Sequence, residues 1–135
     1  MEFDTTLTVC PYCGCGCSIV LQSVDGKLVA GMPDRSSPVN QGKLCIKGWS
    51  AHEFVVSERR ATQPKVRREG TLTPVSWDEA LDEAASGLHR IVDEHGPDSV
   101  MVVASAKCTN EENYLLQKFA RAAIGTNNVD HCARL

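Results

Sequence analysis

The sequence predicts a two-part α+β/α/β chain: a small β-rich module over residues 1–60, then the start of an α/β layer with a parallel sheet over residues 61–135. Three observations carry this expectation. The first third alternates β-branched and apolar residues around a tight turn, as in SIVLQSV-DG-KLVA. The second half carries two capping boxes, each followed by apolar residues at helical spacing. Between those helices lies SVMVVAS, a short continuous apolar run of the kind found in strands covered on both faces.

Taken in order, strand signals run from Leu7 to about Ala30, with Asp25-Gly26 as a hairpin turn. Residues 31–42, GMPDRSSPVNQG, are dense in Gly, Pro, Ser and Asn and read as an irregular connection to LCIKGW. KVRR and TLTPV flank Glu69-Gly70 as a second hairpin, and the boundary between the two parts falls near residues 58–75. Ser76 and Glu79 begin a helix whose core face is Leu81, Ala84, Ala85, Leu88, Ile91 and Val92, stopped by Gly96-Pro97. Thr109 and Glu112 begin the next, with Leu115, Leu116, Phe119, Ala120 and Ala123 as its buried stripe and Gly125 at its end.

Composition narrows the function classes. The chain has 135 residues and a net charge of −3, so no strong field draws it to nucleic acid or anionic lipid. No apolar run reaches the ~20 residues of a membrane span, and MEFDTTLTVC lacks the basic-then-apolar pattern of a signal peptide. A cytoplasmic protein is therefore expected, in a compartment that disfavours disulfides.

Cysteine spacing carries the chemistry. CPYCGCGC places four of the seven cysteines within eight residues, directly before the first hairpin. Cys10, Cys13 and Cys17 form C-x2-C-x3-C, and Cys45 follows after 27 residues in a Gly-flanked segment. Three clustered thiolates and one distant one suit a cubane iron–sulfur cluster, with Cys15 left over. Gly14 and Gly16 would let the chain fold tightly there through positive φ. A four-cysteine zinc site uses the same donors, although zinc ribbons usually present a second C-x2-C knuckle and CIKG has a single cysteine. Lys47 stands two residues past Cys45, either as a solvated loop lysine or as a charge that neutralises part of the cluster or contacts a second cofactor.

CPYCGCGC, NQGKLCIKGW, VSWDEAL and TNEENYLLQKFARAAIGTNNVDHCARL together resemble the N-terminal part of formate dehydrogenase catalytic (alpha) subunits in the molybdopterin oxidoreductase superfamily. The resemblance implies that Cys10, Cys13, Cys17 and Cys45 bind a [4Fe-4S] cluster, that Cys15 does not, and that Lys47 relays electrons between cluster and pterin. It further implies a molybdenum or tungsten bis(molybdopterin guanine dinucleotide) cofactor and the oxidation of formate to CO2 or its reverse. The implied partners are the remainder of the catalytic subunit and an iron–sulfur electron-transfer subunit or ferredoxin. In that family the pattern continues beyond HCARL with a cysteine or selenocysteine metal ligand and a histidine. The expectation is therefore a UGA codon after Leu135 read as a stop, and a chain inactive by itself. The other class of reading is a stand-alone iron–sulfur or zinc module with a structural or carrier role.

Other features read as structural. Arg59, Arg60, Lys65, Arg67 and Arg68 suit a solvated hairpin, with contact to pterin pyrophosphates or an acidic partner as the competing reading. Cys108 reads as a small buried residue at a strand end, and His52, His89 and His95 as surface or helix-end residues. His131 and Cys132 are adjacent and read as structural rather than as a ligand pair.

Overall fold

A computed structural model describes residues 1–132. Ala133, Arg134 and Leu135, and with them the expectation attached to the end of the chain, lie outside the described residues. The chain divides into two compact units. One comprises Met1–Arg60, Ser105–Asn113 and Cys132; the other comprises Ala61–Ala104 and Tyr114–His131.

In the first unit, β1 (Phe3–Val9), β2 (Ser18–Val24) and β3 (Lys27–Pro33) form an antiparallel sheet in sequential order. Asp25 and Gly26 make the β2–β3 turn with φ of 48° and 73°, the paired positive values of a I′ hairpin. β1 begins at Phe3, earlier than the strand signal at Leu7 suggests, because pairing with β2 runs from Phe3↔Val24 to Val9↔Ser18. CPYCGCGC is therefore the β1–β2 connection, the loop just before the β2–β3 hairpin as expected. Two short helices that the sequence reading did not anticipate follow: α1 (Ile46–Trp49) and α2 (Ala51–Val56). Both are too brief to show helical periodicity, and neither has a side-chain cap. They bring Ala51 onto Ile19 and Cys10, the buried centre of this unit, with Tyr12, Cys17, Leu21 and Leu44 packed around it.

The second unit opens with the hairpin of β4 (Lys65–Arg68) and β5 (Thr71–Pro74), whose turn residues Glu69 and Gly70 again have positive φ. α3 (Trp77–His95) begins where Ser76 Oγ accepts the Glu79 N–H at 3.1 Å. Only half of that capping box forms, because the Glu79 carboxylate turns to Arg68 at 2.9 Å. Gly96, with φ of 82°, ends the helix as expected. β6 (Val102–Ala104) then pairs in parallel with β7 (Val129–His131). The connection between them is α4 (Asn110–Lys118) and a π-helical turn over Phe119–Ile124, closed by Gly125 in the left-handed region. A β-crossover-β unit with a parallel pair is the α/β beginning that the sequence predicted.

Three burial expectations need correction. Val103 is 67 % exposed, so the apolar strand is not covered on both faces. Of the stripe on the second helix only Ala120 is buried, while Leu115 and Phe119 are exposed. On α3 no residue is buried, although Leu88 and Val92 are partly covered. The reason is width: a two-stranded sheet cannot cover the apolar surface of its strands or of the helices beside it.

Candidate iron–sulfur site

The cysteine loop is held at both ends by the sheet. Cys10 follows the last residue of β1, Cys17 precedes the first residue of β2, and the Cys10 N–H donates to the Cys17 carbonyl at 2.8 Å. Within this closed loop Gly16 adopts φ of 68°, as the tight path requires, but Gly14 does not share it. The requirement at Gly14 is steric: a Cβ there would lie 2.9 Å from Asn110 Cγ and closer still to its Oδ1.

Asn40 joins the second cysteine segment to this loop, and nothing in the sequence reading singled it out. It is 7 % exposed. Its Oδ1 accepts from the Ser18 N–H at 2.9 Å, and its Nδ2 donates to the carbonyls of Ser18 at 3.1 Å and Lys43 at 3.0 Å. One amide thus ties the residue after Cys17 to the chain leading into Cys45. Asp34 adds a second tie by accepting the Ser18 hydroxyl at 3.1 Å, and its carboxyl is held below the usual range by Ser36 first and by Ser18 in addition. The only hint of either role was the density of Asn, Asp and Ser in a segment read as irregular connection.

All seven cysteines are free thiols. Cys10 is buried, Cys13 and Cys17 are partly buried, and Cys15 and Cys45 are exposed. The Cys17 thiol donates to Cys15 Sγ at 3.5 Å. Burial, this hydrogen bond and the neighbouring charges of Cys15, Cys10 and Cys13 push the Cys17 thiol up to about 11. Cys45 differs. It sits at the N-terminal edge of α1, where the Gly48 amide first, and then the Lys47 amide and ammonium, lower its thiol against the opposing effect of burial.

This donor set fits an iron–sulfur cluster on its own chemistry. Cys17, crowded by Cys15, Cys10 and Cys13, is a soft donor whose unfavourable thiolate a cationic iron core would relieve. The stapled loops bring the two cysteine-bearing segments together, and Lys47 supplies a positive charge at the fourth. Among the described residues, no three Cys, His, Asp or Glu side chains converge on a single metal-ion position.

The remaining candidates are distributed differently. Arg68 pairs with Glu79 and Glu83, Arg67 donates to the Gly70 carbonyl, and Arg60 lies 5.9 Å from the Phe54 ring centroid. Much of the basic run is therefore committed within its own unit. His52 is a helix-end residue, in the first turn of α2, and is partly buried, with Nδ1 shielded, without a hydrogen-bond partner and facing Gly31. His89 and His95 are exposed as expected. Cys108 is partly buried in the turn after β6, and Cys132 meets the Ser105 hydroxyl at 3.2 Å, which lowers its thiol together with the Ala106 amide and the Lys107 charge.

Residues 3–57 match the molybdopterin oxidoreductase Fe4S4 domain, and residues 60–135 match the molybdopterin oxidoreductase domain. The chain is 50 % identical over 135 residues to the F420-dependent formate dehydrogenase 1 subunit alpha of Methanococcus maripaludis. It is 45 % identical over 135 residues to the F420-dependent formate dehydrogenase subunit alpha of Methanocaldococcus jannaschii. In both cases it spans the whole chain but 19 % of the relative's length. Among solved structures it resembles acetylene hydratase from Pelobacter acetylenicus, with a TM-score of 0.72 and 25 % identity over 93 % of this chain and 18 % of that one.

Proposed function

The chain belongs to the molybdopterin oxidoreductase family, and from that premise we propose that it forms the iron–sulfur electron-relay part of a formate dehydrogenase catalytic subunit. The observation that carries the reading is the pair of stapled loops presenting Cys10, Cys13 and Cys17 on one side and Cys45 with Lys47 on the other. Likeness along the full chain to two alpha subunits of formate dehydrogenases supports the substrate class.

When bound, a [4Fe-4S] cluster supplies one-electron transfer, and a molybdenum or tungsten bis-pterin supplies two-electron exchange between formate and CO2. Cys10, Cys13, Cys17 and Cys45 would hold the cluster. The sheet fixes the loop ends, so three ligands arrive on one short, closed segment. Lys47 keeps an ammonium next to Cys45, where it favours the thiolate and offsets negative charge on the electron path. Cys15, exposed and outside the ligand pattern, is not required. The electron-accepting partner of the complete enzyme is an iron–sulfur subunit or ferredoxin in this reading. Among the described residues, no helix is long and apolar enough to cross a membrane.

Anaerobic reconstitution tests the assignment. The chain should take up about four iron and four sulfide. Cys15→Ser should retain them, whereas serine at Cys10, Cys13, Cys17 or Cys45 should lose iron and the signal of the reduced cluster. One tightly held zinc in place of iron would overturn the cluster and favour the zinc-module reading, whereas iron loss in Cys15→Ser would overturn the ligand set.

A further inference from the structure

The segment Thr109–Asn113 is built more carefully than a helix start alone requires. The Thr109 N–H donates to the Glu112 carboxylate at 2.7 Å, and the Glu112 N–H donates back to Thr109 Oγ1 at 3.2 Å, a fully reciprocal capping box. The Asn113 side-chain amide donates to the carbonyls of Ser105 at 3.2 Å, Cys108 at 3.4 Å and Thr109 at 3.0 Å. These bonds fix the loop entering α4 as well as its first turn. Asn110 stands within that segment, between Thr109 and Glu112. Its Nδ2 donates to the Gly14 carbonyl at 3.3 Å, across 96 residues of sequence.

We infer that Asn110 is a positioning residue for the cluster, clamping the Gly14–Cys15 peptide between the ligands Cys13 and Cys17. The inference rests on the cluster reading above. The peptide is planar and trans, so holding the Gly14 carbonyl also sets the direction of the Cys15 N–H on its far side. Backbone N–H orientation around a cluster and the support of its ligands govern potential and metal retention. The loop needs an external restraint because Gly14 and Gly16 both lie between Cys13 and Cys17, and glycine has the widest backbone freedom. Gly14 also has to be glycine for the clamp to close, since any Cβ would meet the Asn110 amide. Because Thr109–Asn113 is already ordered by its own hydrogen bonds, making this bond costs little additional side-chain freedom.

The test compares the anaerobically reconstituted chain with Asn110→Ala and Asn110→Asp. Aspartate has nearly the same shape, suits the first turn of a helix and lacks the N–H donor. Iron release to an excess of a ferrous chelator and the cluster's midpoint potential are measured, with circular dichroism as the check on folding. Both variants should start with full iron and unchanged dichroism. Each should release iron about fivefold faster, the effect of roughly 1 kcal/mol for one net hydrogen bond at about 1.4 kcal/mol per decade. Both should also show a shifted midpoint. Wild-type release and potential in the two variants would overturn the clamp, as would a change confined to Asn110→Asp, which would reflect its charge alone. Failure of the unaltered chain to take up iron would instead overturn the cluster reading, and the clamp with it.

Discussion

Replacing Asn40 with alanine tests whether the two cysteine segments are held together as described. The side chain makes three hydrogen bonds: from the Ser18 N–H, and to the carbonyls of Ser18 and Lys43. At roughly 1 kcal/mol net for each, alanine should destabilise the first unit by about 3 kcal/mol, and more where the abandoned groups stay shielded from water. Aspartate keeps the acceptor for Ser18 N–H but turns an oxygen toward two carbonyl oxygens, so it should be no better than alanine. The readouts are the urea midpoint of the cluster-free chain and the rate of iron release from the reconstituted one. Both should worsen together, because the same amide stabilises the fold and joins the Cys17 side of the site to the Cys45 side. A loss below about 1 kcal/mol with unchanged iron release would refute the staple; a large loss of stability with normal iron release would show that Asn40 does not hold the ligands.

Other expectations concern the thiols and the core. In the cluster-free chain, iodoacetamide mapping across pH should find Cys45 and Cys132 alkylated at lower pH than an ordinary cysteine, and Cys17 last, since only the thiolate reacts. Labelling of Cys17 at or below its ordinary value of 9.0 would contradict the crowding of thiols around it. The same group makes a linkage prediction. Its folded value of about 11 lies above the unfolded 9.0, so its stabilising contribution is complete below pH 9.0 and is lost as pH rises through about 11. A denaturant midpoint that rose across that window would contradict it. Ile19→Ala should cost about 2–5 kcal/mol and Ile19→Val about 1 kcal/mol, because Ile19 is the large side chain among the buried residues that pack Cys10 and Ala51. Equal midpoints for the two variants would place the core elsewhere.

What the sequence by itself determined is what local chemistry controls. Asp25-Gly26 and Glu69-Gly70 can only turn a chain in a few ways, and both became hairpins with positive φ. Thr109 and Glu112 closed their capping box because both partners lie within one helical turn. The spacing C-x2-C-x3-C likewise marked a soft-donor segment, since it keeps three thiols on one short loop whatever the rest of the chain does. Tertiary structure decided everything that depends on distant partners. It selected Arg68 over Ser76 as the partner of the Glu79 carboxylate, left apolar stripes on α3 and α4 largely uncovered, and made Asn40 and Asn110 matter through contacts 22 and 96 residues away. An asparagine in a polar loop looks the same in sequence whether it faces water or a backbone carbonyl; only folding brings the carbonyl to it.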